Sequence, residues 1–306
     1  MKHDEVHMSH LAWKTRFNMS NLSPRLEMPR VLQALPPCSI GLKCADDVAI
    51  ERCLDSIDDD VSVHVVITPS QRIERILNRR GVEYSTTAYG NIARSAQLSI
   101  ERSPTDNVIV MDSDTWFMPG SIRRMREALV DNIVAKPRIR FETNMYTSEV
   151  IARGRHAFNN RPDFATCPGL AVRKTELTEA CGQIFNPLVR WTEDADLNFR
   201  MHQAGIGLKL VPEAEIVHGP IDLAHELRAA FFYGIGKRLS VEHTPGRLTP
   251  EEFPDFVINA LRAPLRVREN LQSTGPAGLG LDALWQAIYL AGYHAQKKLG
   301  RWTITE

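Results

Sequence analysis

The chain has 306 residues, 43% apolar and 24% charged, with Lys plus Arg and Asp plus Glu at 37 each. That length suits one large α/β domain with extra elements or two smaller ones, and the composition is that of a globular protein. Zero net charge excludes bulk attraction to nucleic acid, though a local basic patch is compatible with it. The five cysteines, Cys38, Cys44, Cys53, Cys167 and Cys181, form no C-x-x-C pair. They read as small buried hydrophobes in a reducing compartment rather than as disulfides or a zinc site.

Residues 1–37 read as a polar N-terminal extension with no continuous apolar run of the signal-peptide kind. CSIGL (38–42) predicts a strand, and DDVAIERCLDSI a helix opened by Asp46 or Asp47. VSVHVVI (61–67) predicts a second strand, and SQRIERILNRRG (70–81) a helix that stops at Gly81. Asp58-Asp59-Asp60 between them reads as a solvated turn without function. The next helix, NIARSAQLSIERS, leads into VIVMD, and such alternation implies right-handed βαβ crossovers and a mainly parallel sheet.

SIRRMREALVDN predicts a helix, followed by an irregular stretch through residue 165 in which RGRHAFNNRPDF reads as a basic loop. ATCPGLAVRKTEL predicts a strand, a turn and a helix start. RWTEDADLNFRMHQAG contains a helix closed by Gly205, and IGLKLVPEAEIVHGP two short strands ending on His218. LAHELRAAFFYGIGKRL is helical; its Gly234 and Gly236 follow a helix rather than a strand, so the segment fails the context of a dinucleotide loop. The last segment, AGLGLDALWQAIYLAGYHAQKKLG, predicts an amphipathic helix, interrupted by Asp282, Gln286 and His294. It packs on the core or lies on a membrane surface, with Lys297, Lys298 and Arg301 at its edge. No run approaches the ~18 apolar residues of a spanning helix, and the expected location is cytoplasmic.

Three chemical features stand at element ends: Asp112 and Asp114 after an apolar strand, Glu193 and Asp194 at a helix start, and His218 at a strand end. Paired carboxylates at the carboxyl end of a strand lie where open α/β sheets bind ligands, and their repulsion is costly unless a cation or a cationic group offsets it; taken alone, a D-x-D before Met118-Pro119-Gly120 reads better as turn and cap residues. Carboxylates with a neutral imidazole suit Mn²⁺ or Mg²⁺. Trp191 beside the acids is a candidate sugar-stacking platform, although Trp116 and Trp191 suit a core equally well. His202, His225, His243 and His294 read as surface or core histidines.

Taken in order, these residues resemble the glycosyltransferases of family 2, which have the GT-A fold. Four segments carry the resemblance: SIGLKCADDVAIERCLDSI, GNIARSAQLSIERSPTDNVIVMDSDTWFMPGSI, PGLAVRKTEL and TEDADLNFRMHQAGIGLKLVPEAEIVH. The last, close to the family's E-D-x-D-L-x-x-R run ending in P-x-A-x-x-H, is the most specific. The resemblance implies a GT-A domain over 38–235, with residues 236–306 as a helical C-terminal region. It implies that Asp114, Asp112 and His218 hold the metal, and that Gly41, Lys43, Arg94, Asp112 and Ser113 contact the donor. Gly169 and Trp191 would line the acceptor side, Asp194 would be the general base, and Glu193 would orient the sugar or acceptor.

The implied activity is metal-dependent, inverting transfer of one hexosyl or N-acetylhexosaminyl group from a nucleotide-sugar, a UDP-sugar by family frequency. The acceptor is a hydroxyl on a small molecule, natural product or lipid-linked compound. Two positions depart from the family: Gly41-Leu42-Lys43-Cys44 replaces its Pro-x-Tyr-Asn-like turn, and Thr68-Pro69-Ser70 replaces its base-reading acidic pair. No Q-x-x-R-W motif follows His218, so one sugar per encounter is expected. Two other readings are a sugar-1-phosphate nucleotidylyltransferase and a GT-A-like binding protein without activity. The former wants a Gly-rich, Arg-containing loop after the first strand, whereas GLKCADDVA has one Gly and no Arg.

Overall fold

The computed structural model describes residues 34–246, 267–268, 271–272 and 274–299. The expected N-terminal extension lies outside them except for its last four residues, as do most of the Pro-rich segment 244–254 and the side chains of Lys297, Lys298 and Arg301.

Strands β1 (Cys38–Cys44), β2 (Ser62–Ile67), β3 (Glu83–Thr86) and β4 (Asn107–Asp112) pair in parallel in the order β3-β2-β1-β4. Ile40, Leu42, Val65, Ile67 and the run Val108 to Met111 are buried, as a sheet covered on both faces requires. The sheet continues through β7 (Leu170–Arg173), β6 (Val134–Phe141), β8 (Lys209–His218) and β5 (Thr115–Phe117). Four of the seven pairings are parallel. The result is a mixed, mainly parallel α/β sheet flanked by helices.

Helices α1 (Ile50–Asp55), α2 (Gln71–Arg80), α3 (Ile92–Arg102) and α4 (Ser121–Asp131) follow β1, β2, β3 and β5. Local chemistry accounts for their ends. Ser70 caps α2 through the Ile73 N–H, and Gly81 ends it with φ of 64°. The Asn91 side chain accepts the Arg94 N–H at 2.9 Å at the start of α3. Helix α1 begins later than Asp46 or Asp47, because Asp47 Oδ1 accepts the Ala49 N–H at 2.9 Å in a local turn.

The stretch expected to be irregular holds β6 and helix α5 (Tyr146–Asn159), so RGRHAFN is helical. Val150 and Ile151 bury the helix, and Ser148 Oγ takes the Asn144 and Met145 N–H groups at 3.0 and 3.1 Å. Residues 209–218 form one strand rather than two. Its register on β6 jumps from Val211 to Glu215, so Pro212 sits in a bulge where no ladder N–H is needed. The acidic turn is also tied down: Asp58 accepts the Gly120 N–H at 2.7 Å, and Asp59 pairs with Arg126 at 2.8 Å.

Helices α6 (Lys174–Cys181), α7 (Glu193–Gln203), α8 (Leu223–His243) and α9 (Gly275–Leu299) follow, and residues 267–268 and 271–272 are also helical. Helix α8 runs unbroken across residue 235. Helix α9 packs tightly on it: a Cβ on Gly234 would stand 1.9 Å from the Tyr289 carbonyl oxygen, and one on Gly292 would stand 2.0 Å from that of Phe231. Among the described residues no helix is long and apolar enough to cross a membrane.

Candidate active site

The strand order turns at β1 and β4: from β1 the chain winds toward β2 and β3, while β4 lies on the other side. Crevices at such switch points, outside the carboxyl ends of the strands, are where open α/β sheets bind ligands. Lys43 and Asp112 are register partners at that point. The Lys43 ammonium lies 2.9 Å from Asp112 Oδ1 and 3.2 Å from Glu193 Oε1. Burial pulls Lys43 toward neutrality, but Asp112 and Glu193 outweigh it and hold its pKa well above the ordinary lysine value. The D-x-D strand end and the first residue of α7 therefore meet at one cation.

Strand β5 turns the chain back immediately after Asp114 and pairs Thr115 with His218. The Gly219 N–H donates to the Asp114 carbonyl at 2.9 Å, and the Phe141 ring lies 5.2 Å from the imidazole. His218 Nδ1 stands 2.8 Å from the Gly219 carbonyl. A carbonyl only accepts, so Nδ1 carries the proton and Nε2 is left to face Asp114 Oδ2 at 3.5 Å. Burial and the neighbouring Asp112 raise the Asp114 pKa against the pull of His218.

A ring nitrogen and a carboxylate oxygen side by side, both electron-pair donors, fit a divalent cation. Among the described residues no third His, Cys, Asp or Glu converges on them.

Glu193 and Asp194 form the first turn of α7. Asp194 Oδ1 accepts the Ala195 N–H at 2.7 Å. Burial, then the neighbouring Glu193 carboxylate, push its pKa up to about 7, while Lys43 and Arg155 pull it down. A carboxyl poised near neutrality is able to exchange a proton at physiological pH.

Helix α8 buttresses this turn. Gly236 faces Thr192, where a Cβ would come within 3.0–3.1 Å of its Cγ2, N and Oγ1. Fully buried Asp196 pairs with Arg200 at 2.8 Å and accepts from Ser240 at 3.3 Å and from Thr244. Arg155 of α5 bonds Glu226 at 2.8 Å. Arg155 pulls the Tyr233 phenol down, but burial and the Asp194 and Glu226 carboxylates push it higher overall.

Trp191 stacks on Phe232 with centroids 4.4 Å apart, so one face of its ring is taken. Arg190 before it has φ of 64°, rare for a residue with a Cβ, and its carbonyl accepts the Ala93 N–H at 3.0 Å. Trp116 is a core residue, with the Arg52 guanidinium 3.3 Å above its ring.

The other expected contacts are dispersed. The buried Ser113 donates its N–H to the Lys43 carbonyl at 3.1 Å. Gly41 lies under α3, where a Cβ would be 2.9 Å from Ser99 Oγ. Gly169 has φ of +85°, and a Cβ there would meet Pro137 at 2.7 Å and Ile216 at 2.8 Å, so packing alone accounts for both glycines. Arg94 is exposed on α3. Asp196, Arg155 and Glu226 received no role from the sequence; the second Asp of E-D-A-D was the signal available for Asp196.

No protein-family model matches the chain. A search of curated proteins gives no match. Solved structures do: the chain is similar to the mannosyltransferase PcManGT from Pyrobaculum calidifontis, in complex with GDP-Man and Mn²⁺, with a TM-score of 0.56 and 14% identity over 88% of this chain and 89% of that one. It is also similar to GalNAc-T7 with UDP, GalNAc and Mn²⁺, with a TM-score of 0.50 and 10% identity over 74% of this chain. There the match spans 55% of the other chain's length. At such identities the likeness is one of fold, and the chain has the GT-A fold of these glycosyltransferases.

Proposed function

We propose that the chain is a metal-dependent, inverting glycosyltransferase, related to family 2, that moves one sugar from a nucleotide-sugar to a hydroxyl acceptor. The observation that carries this is the Lys43 bridge, which draws Asp112 from the D-x-D segment and Glu193 from the E-D segment to one ammonium. In this reading the donor-side and acceptor-side acids serve one site at the switch point of the sheet.

In this reading Asp114 and His218 hold Mn²⁺ or Mg²⁺. The cation, when bound, neutralises charge on the diphosphate as a Lewis acid. Asp194 takes the proton of the acceptor hydroxyl as that oxygen attacks the anomeric carbon from the side opposite the leaving nucleotide. Glu193, fixed by Lys43, orients the sugar or acceptor beside it. Arg94 serves the nucleotide, and the Trp191 face not stacked on Phe232 serves a sugar or acceptor ring. One displacement inverts the anomeric centre. We extend the catalytic domain from residue 235 through Thr244, because Ser240 and Thr244 hold Asp196 on the helix that carries the base.

The test is release of free nucleotide from a panel of UDP- and GDP-sugars in the presence of Mn²⁺, with sugar alcohols, natural-product alcohols and hydroxyl-bearing lipid-linked sugars as acceptors. Turnover of one donor, lost in Asp194→Asn, is the expected result. Pyrophosphate release from a nucleoside triphosphate plus a sugar-1-phosphate would replace this reading with nucleotidyl transfer. Donor binding without turnover under any acceptor would replace it with a binding protein.

A further inference from the structure

Lys43 lacks the free ammonium that a lysine reading a nucleotide would have. Its side chain is 10% exposed, that of Glu193 is 7%, and both carboxylates stand within hydrogen-bonding reach of Nζ. The three residues come from the end of β1, the end of β4 and the start of α7. The Ser113 N–H donated to the Lys43 carbonyl ties the D-x-D backbone to the same residue.

We propose that Lys43 is a positioning residue, a built-in counter-ion that claims Asp112 and Glu193 and leaves Asp114 with His218 as the place for the divalent ion. The inference rests on the metal-dependent reading of the site given above. Asp112 Oδ1 already bonds a positive charge at 2.9 Å, and a divalent ion on the same carboxylate would be repelled by that ammonium. The lysine thus does for two acids what a second cation would do, without exchanging with solvent. It also keeps the strand end that faces the donor in register with the helix start that faces the acceptor.

The experiment titrates the full chain with Mn²⁺ alone, following free Mn²⁺ by electron paramagnetic resonance. Lys43→Met should bind Mn²⁺ at least about tenfold more tightly, because the acids next to Asp114 lose their counter-ion. Lys43→Arg keeps the charge and should stay within about threefold of the natural chain. Asp114→Ala should weaken binding more than about tenfold in either background. Unchanged or weaker Mn²⁺ binding by Lys43→Met overturns the inference. If that variant does not fold, Lys43→Met with Glu193→Gln, which leaves one carboxylate fewer unpaired, carries the same expectation.

With an active donor, Lys43→Met should lower kcat about a hundredfold while donor KM moves less than about threefold, and Lys43→Arg should recover part of kcat. A loss confined to KM would mean that Lys43 reads the donor instead. Failure of the natural chain to turn over any nucleotide-sugar refutes the proposed function and leaves the Mn²⁺ pattern to decide the role of Lys43.

Discussion

Replacing Asp194 with asparagine should abolish transfer and make the protein more stable. The carboxyl has a pKa of about 7 against an ordinary 3.8, the consequence of burial and of Glu193 next to it. A carboxyl whose folded pKa is raised binds more protons folded than unfolded, so it costs stability as pH climbs from about 4 to 7. At 1.36 kcal/mol per pH unit, that cost approaches ~4 kcal/mol above neutrality. Asp194 is half-buried, and solvent screening brings the expected range to roughly 2–4 kcal/mol. Asparagine keeps the oxygen that accepts the Ala195 N–H at 2.7 Å, so the neutral side chain removes charge without removing the turn.

Urea denaturation of both proteins at pH 8 and pH 5 measures this. The Asp194→Asn substitution should raise stability by the full amount at pH 8 and by a smaller amount at pH 5, where the natural carboxyl is more protonated in the folded state. The natural protein's kcat/KM should fall with a one-proton slope as pH drops below about 7. A variant that is no more stable than the natural protein at either pH, or that turns over normally, would refute the assignment of a destabilised, proton-accepting carboxylate.

Three further outcomes follow from the same geometry. Gly236→Ala should cost only ~1 kcal/mol of stability but about tenfold in kcat, because its Cβ would displace Thr192 and with it the acids of α7; kinetics and denaturation on one preparation separate the two. Arg155→Met should cost about 3 kcal/mol by leaving Glu226 buried and unpaired, and adding Glu226→Gln should restore most of it, measured as a double-mutant cycle. Mn²⁺ should raise the thermal midpoint of the natural protein, and neither Asp114→Ala nor His218→Ala should show that rise in scanning calorimetry.

The parallel half of the fold was legible because its rules are local. Short apolar stretches mark β1, β2 and β4, and Gly81 marks the end of α2, without reference to distant residues. The short strands and helix α5 were not. Strands β3 and β5 are four and three residues long, too short for alternation to register. Helix α5 looks like a basic loop because the acid that neutralises Arg155 lies 71 residues further on, in Glu226. Its apolar anchors, Val150 and Ile151, are too few to dominate the pattern.

The same division separates what the sequence revealed of the site from what it did not. Asp112, Asp114, Glu193, Asp194 and His218 stand at element ends, and element ends are readable. What brings them together is not. Asp114 reaches His218 because β5 doubles back onto the last residue of β8, a pairing of Thr115 with a residue 103 positions later in the numbering. Lys43 looked like a spare cation facing the donor because Glu193, one of its two partners, follows 150 residues later. A lysine between two acids from different elements cannot be told in sequence from a lysine in solvent. That difference decides whether its charge is available to a substrate or already committed to the protein's own carboxylates.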